Sequence, residues 1–190
     1  FKNHIENEFD IIISCGRKSV IPSIYLKKNS NKNIINIHIQ NPKVSFNNFD
    51  YIIAPEHDGI SGKNVISSKG ALHYLTIKEI ENSRGYLQNK INSKKDTLTL
   101  ILGGPTKYYN YSTQNIKSIF SKIKNLTEKN NLNLIVIPSN RTPKETVSLA
   151  KSELVKDTTI IETVDKKAYL SALSLAKYIV VTCDSSSMIS

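Results

Sequence analysis

Short apolar runs alternate with helix-patterned segments along most of this 190-residue chain, and that alternation restricts the fold more than any other feature of the sequence. The runs are Ile11 to Ile13, Ile34 to Ile39, Tyr51 to Ala54, Leu98 to Leu102, Leu134 to Ile137, Thr159 to Ile161 and Tyr178 to Val181. They are rich in β-branched residues and too short for helices, which suits parallel strands covered on both faces. Between them lie helix start signals. Thr76-Ile77-Lys78-Glu79 has the form of a capping box, and Ser112 precedes a stripe of Ile116, Ile119, Phe120, Ile123 and Leu126. Thr142-Pro143-Lys144-Glu145 combines a second capping box with Pro at the first helical position. Asp165 is placed to cap a helix bearing Tyr169, Leu170, Leu173 and Ala176. Strand and helix in turn imply βα units and an α/β fold.

Residues 73–95 break the rhythm. Ile77, Ile80, Leu87 and Ile91 predict a helix there, followed by the polar segment Asn92 to Asp96 with no strand. A seam near residue 95 follows. Residues 1–72 read as the C-terminal part of one Rossmann-like lobe, 73–95 as a helix and inter-lobe linker, and 96–190 as the N-terminal part of a second lobe. The chain opens at Phe1 and ends at Ser190 just after Met188-Ile189, and it reads as a fragment truncated at both ends.

Composition narrows the function classes. A hydrophobic content of 39% supports a globular core. No apolar run approaches the roughly 20 residues of a membrane span. Two cysteines, Cys15 and Cys183, cannot build a disulfide scaffold or a paired zinc site, so the expected location is cytoplasmic or peripheral to a membrane. The net charge of +10 is almost all scattered lysine; the arginines are Arg17, Arg84 and Arg141. Without a basic run or an aromatic recognition motif, specific nucleic-acid binding is not expected. The charge favours anionic ligands on a solvated surface.

In open α/β sheets ligands collect at the carboxyl ends of strands, so the turns there carry the candidate site residues. Gly103-Gly104-Pro105-Thr106-Lys107 reads either as an anion cradle or as a tight turn that needs glycine at positive φ. It is not a P-loop, and no G-x-G-x-x-G occurs. Ser139-Asn140-Arg141-Thr142 offers a rare guanidinium for phosphate, or for a surface ion pair; Thr142 is accounted for as an N-cap. Asp184 with Ser185, Ser186 and Ser187 forms either a helix cap or an oxyanion cradle, and the neighbouring Cys183 reads as a small buried filler. Ser14, Gly16, Arg17, Lys18 and Ser19 put cations at a helix start, against the dipole, as an anionic ligand would tolerate. His57 and Asp58 supply a general base or a hydrogen-bonded loop. They lack zinc-helix spacing, and no metal site is expected. Polar turns shared between two lobes point to a ligand between them.

The segments SCGRKS (14–19), PEHDG with SGKNV (55–65), GALH (70–73), GGPTKYY (103–109), SNRTP (139–143) and TCDSSSM (182–188) occur in that order. Together they resemble the family named for the plant mitochondrial fission factor "elongated mitochondria", which is similar to GT-B glycosyltransferases. The resemblance implies two Rossmann-like lobes with parallel sheets and a nucleotide-sugar as donor substrate, without a tightly bound cofactor or metal. It implies that Gly103, Gly104, Thr106 and Lys107 hold phosphate, that Ser139, Arg141 and Thr142 lie on the nucleotide side, and that Asp184 to Ser187 hold the diphosphate. His57 or Asp58 would serve as acceptor base, with Ser14 to Ser19 on the acceptor or anion side. The implied activity is glycosyl transfer to an envelope or lipid-linked acceptor. The plant relative implies an alternative, a non-catalytic adaptor that recruits a membrane-remodelling partner.

Overall fold

The computed structural model describes residues 9–154, 158–182 and 184. The chain divides into two compact units, Phe1–His73 and Tyr74–Ile189, each with a four-stranded, wholly parallel sheet.

In the first unit the strands β1 (Ile11–Cys15), β2 (Ile35–Ile39), β3 (Tyr51–Pro55) and β4 (Val65–Ser68) lie in chain order, with α1 (Arg17–Lys28) crossing between the first two. The strand β4 is absent from the sequence reading because two of its four residues are serine, leaving one apolar pair as its signal. One face of the sheet packs Val20 of α1 with Phe49, Ile52 and Ala54. On the strands, Ile11, Ile13, Ile35, Tyr51 and Ile66 are exposed.

The buried face also holds His38, in register with Ser14 and fully enclosed. Its Nδ1 is 2.8 Å from Ser14 Oγ, while Nε2 is buried without a hydrogen-bond partner. Burial lowers the imidazole's pKa from its ordinary 6.5. The native state therefore declines a proton that the unfolded chain accepts below pH 6.5, so this unit loses stability as the pH falls from there. Thermal midpoints measured between pH 7 and 5 should fall for the wild type, and that slope should be absent in His38→Leu.

The second unit is better covered. Its strands β5 (Thr97–Leu102), β6 (Asn133–Pro138), β7 (Thr158–Ile160) and β8 (Tyr178–Val181) stand in the order β7-β6-β5-β8. Every residue of β5 and β6 is buried, as expected of central strands. Side chains alternate between two cores. Leu98, Leu100, Leu102, Leu134 and Val136 meet Ile116, Phe120 and Ile123 of α4 (Thr113–Lys129) and Ala150 of α5 (Lys144–Glu153). Ile135 and Ile137 point the other way, to Ala168, Ala172 and Leu175 of α6 (Lys166–Leu175). The chain thus winds outward from β5 to β7, then returns to place β8 on the far side of β5. The strand order reverses between β5 and β8, where α/β folds bind ligands.

Three helix starts form as the sequence predicts. Thr76 and Glu79 close their capping box, Ser112 Oγ accepts from Asn115 N, and Asp165 accepts from the N–H groups of Lys167 and Ala168. The single helix expected over 73–95 does not form. It is replaced by α2 (Ile77–Asn82) and α3 (Gly85–Gln88). The Leu87 N–H donates to Ser171 Oγ, which frees Leu87 to bury completely against Ile135 and Ala168; Ile77, on the expected stripe, is exposed. This segment packs into the second unit. The start expected at Thr142 is also corrected: α5 begins at Lys144 with Pro143 as its N-cap, because the Thr142 hydroxyl is engaged elsewhere. No helix of the described residues is long and apolar enough to cross a membrane.

Candidate functional site

At the reversal point the turns after β5, β6 and β8 are tied into one polar knot centred on Asp184. This carboxylate has a side-chain exposure of 2% and receives hydrogen bonds on both oxygens. Oδ2 accepts from Gly104 N at 3.1 Å and from Arg141 Nη2 at 2.9 Å. Oδ1 accepts from Thr182 Oγ1 at 2.6 Å and lies 2.7 Å from Tyr111 Oη. Thr182 Oγ1 in turn accepts from Gly103 N and lies 2.7 Å from the same phenol.

Burial alone would raise the carboxyl's pKa, but the hydrogen bonds from Thr182, Tyr111 and Gly104 N outweigh it and hold it below the ordinary 3.8. Burial first, then the neighbouring carboxylate, pushes the Tyr111 phenol up to about 12, so it stays a donor. Asp184 is thus ionised in the fold, and the stability it contributes is present above about pH 4 and lost as the pH falls through its lowered value. Thermal midpoints from pH 7 to 2.5 should show an acid limb that is shallower in Asp184→Asn than in the wild type.

The glycine pair has a different basis from the turn reading. Among the described residues the positive-φ glycines are Gly16 and Gly59, so Gly103 and Gly104 are not there for backbone conformation. They are there for space. A Cβ on Gly103 would lie 2.0 Å from Asp184 Oδ1, and one on Gly104 would lie 2.0 Å from the Arg141 carbonyl oxygen. Both N–H groups already serve the protein's own acceptors, Thr182 and Asp184.

The other expected residues fall into distinct places. Thr142 Oγ1 lies 2.8 Å from Leu102 O and 2.7 Å from Gly103 O, and it accepts from Ser139 N. Ser139 Oγ accepts from Arg141 N, so residues 139–142 are strapped across the end of β5. Thr106 Oγ1 accepts from the N–H groups of Tyr108 and Tyr109, closing its own turn. Lys107 is exposed, with Nζ 4.6 Å above the Tyr108 ring. Arg141 differs from all of these. Its side chain is 43% exposed while one nitrogen is fixed to a buried carboxylate, which leaves guanidinium N–H groups facing solvent from a held position. Ser185, Ser186, Ser187 and Cys183 lie outside the described residues. Tyr111 was not among the expected site residues; its sequence signal is an aromatic directly before the Ser112 cap.

The first unit brings its own candidates to the carboxyl ends of its strands. Gly16 enters α1 at φ 77 without a side-chain cap, and Arg17 and Lys18 are exposed in the first turn. Ser19 Oγ bonds back to the carbonyls of Cys15 and Gly16, and Ser14 is taken by His38. Asp58 accepts from Asn41 N at 3.1 Å and so ties the turn after β2, whereas His57 is exposed beside it. Among the described residues no group of three His, Cys, Asp or Glu side chains is placed to hold a metal.

Comparison with known proteins agrees with this architecture. The uncharacterized protein RP120 of Rickettsia prowazekii (strain Madrid E) is 29% identical over 218 aligned positions, covering 95% of this chain and 61% of that protein. The UDP-GlcNAc 2-epimerase from Methanocaldococcus jannaschii superposes with a TM-score of 0.60 at 18% identity, over 95% of this chain and 58% of that one. The Neisseria meningitidis UDP-GlcNAc 2-epimerase bound to UDP-GlcNAc gives 0.57 at 15% identity, over 94% and 55%. The chain spans less than two thirds of the length of each. These likenesses show the fold, GT-B-like, with a parallel α/β sheet in each unit of this chain. The model of the mitochondrial fission ELM1 family matches residues 2–190, and the chain belongs to that family.

Proposed function

We propose that the second unit binds the diphosphate of a nucleotide-sugar at the carboxyl ends of β5, β6 and β8, and that the protein is a glycosyltransferase acting on an envelope or lipid-linked acceptor. One observation carries this reading: Arg141 presents a half-exposed guanidinium from the strand-order reversal, fixed in place by a buried carboxylate. The solved neighbours with this fold include an enzyme bound to UDP-GlcNAc, which supports the ligand class. Because Thr182 and Asp184 already take the N–H groups of the glycine pair, phosphate recognition falls to the solvent-facing N–H groups of Arg141, with Lys107 supplying a second, exposed charge.

In the proposed reaction an acceptor hydroxyl attacks the anomeric carbon of the sugar. The new glycosidic bond forms as the bond to the diphosphate breaks, and the nucleoside diphosphate leaves with the electron pair. Arg141 stabilises the growing negative charge on it. The acceptor's proton passes to a general base; of the two candidates His57 is the better assignment, since Asp58 is committed to the Asn41 amide.

A thermal-shift titration against UDP, GDP, ADP, CMP and their sugar conjugates tests this. Ligand at 100 times its Kd should add about 2.7 kcal/mol of stability. A raised midpoint with one nucleotide class is expected. No shift with any of them at millimolar concentration would overturn the proposal and leave the adaptor role as the reading to pursue.

A further inference from the structure

We infer that Tyr111 is a positioning residue for Arg141, acting through Asp184. The inference rests on the donor-site reading above and deepens it, because it says what sets the geometry of the phosphate-binding guanidinium.

The Asp184 carboxylate is held at two ends. Gly104 N and Arg141 hold Oδ2, while Thr182 and Tyr111 hold Oδ1. Thr182 follows directly on β8 in Asp184's own turn, and its hydroxyl is tied to the β5 turn by Gly103 N. Tyr111 is the hold on Oδ1 that stands outside Asp184's turn. It comes from the turn after β5 and its ring packs against the core formed by Leu100, Ile116 and Phe120. The phenol is therefore the fixed external hold on Oδ1. Removing it takes one of the two hydroxyl holds from Oδ1 and loosens rotation of the carboxylate about its Cβ–Cγ bond, which weakens the alignment of Oδ2 with the guanidinium. Among the described residues Asp184 is the acceptor that Arg141 reaches. Once that register is lost, nothing else in the described network orients it.

The ring's packing and the hydroxyl's bonding are separable, since Tyr111→Phe keeps the first and removes the second. The variant is tested in the full chain by two readouts. The first is the side-chain NMR spectrum of labelled arginine, which has three guanidinium groups to resolve and is assigned with Arg141→Lys. The second is titration with UDP. In the wild type Arg141 should give a guanidinium signal with slowed rotation. In Tyr111→Phe that signal should average out, and the Kd for UDP should rise about tenfold. Thr182→Val, which removes the other hydroxyl on Oδ1, should act in the same direction. Ile119→Val, a purely packing change against the same core, should lower the thermal midpoint while leaving both readouts intact.

An unchanged Arg141 signal in both hydroxyl variants would overturn the inference. So would an unchanged UDP affinity in variants whose wild type binds. A wild type that binds neither UDP nor any other nucleotide of the thermal-shift set would count against the donor-site reading alone, because the arginine signal still decides whether Tyr111 positions Arg141.

Discussion

Gly103→Ala should unfold the polar knot and with it most of the candidate site. The added methyl would lie 2.0 and 2.1 Å from the two carboxylate oxygens of Asp184, a separation that non-bonded atoms do not sustain. Asp184 has little room to give way, since it is buried and held by the Gly104 N–H, Arg141, Thr182 and Tyr111. Overpacking of this kind costs about 1–3 kcal/mol, and each buried group left unpaired adds about 1–3 kcal/mol. A total of about 3–5 kcal/mol is expected, on the order of a 10 °C fall in the midpoint of the second unit. Gly85→Ala provides the contrast, because a Cβ there meets nothing within 4 Å and should leave the midpoint unchanged or slightly raised. Calorimetry of the two variants side by side measures the difference.

Arg141→Ala should show the opposite balance, a small loss of stability and a large loss of binding. Its side chain is 43% exposed, so its ion pair with Asp184 contributes little once solvent screening is counted, about 1 kcal/mol or less. Asp184 keeps its bonds to Gly104, Thr182 and Tyr111. Charge-assisted bonds from a pre-oriented guanidinium are each larger, so nucleotide affinity should fall about 10- to 100-fold. Arg141→Lys should not restore it, because a single ammonium cannot bond Asp184 and a phosphate in the fork geometry. Titration calorimetry with the nucleotide that stabilises the wild type separates these outcomes.

The sequence makes the parallel α/β architecture legible because buried strands such as Leu98 to Leu102 and Leu134 to Ile137 are continuous apolar runs. Helix starts are legible where a side chain has a single local task, as at Thr76 and Ser112. Thr142 misleads for the reverse reason. Its hydroxyl has a long-range partner in the Leu102 carbonyl, 40 positions away, and local pattern carries no trace of it. The same holds for Gly103, whose need for glycine comes from Asp184 and is written nowhere near it in the chain. Tyr111 is hidden by composition, as one tyrosine among several in a short segment. The strand β4 is hidden by its serines. The carboxyl-end location of the site follows from the fold class, but the division of labour within it does not. Arg141 faces outward while Asp184 faces inward, and that comes from packing.

If Arg141, held by Asp184, takes the diphosphate of a nucleotide-sugar, a crystal structure of the full-length protein with the nucleotide that stabilises it will show this most directly. The diphosphate is expected against the outward N–H groups of Arg141, at the ends of β5, β6 and β8, with the Asp184 knot intact. A diphosphate bound elsewhere, or one that displaces Asp184 to occupy the Gly103 and Gly104 amides, would contradict it.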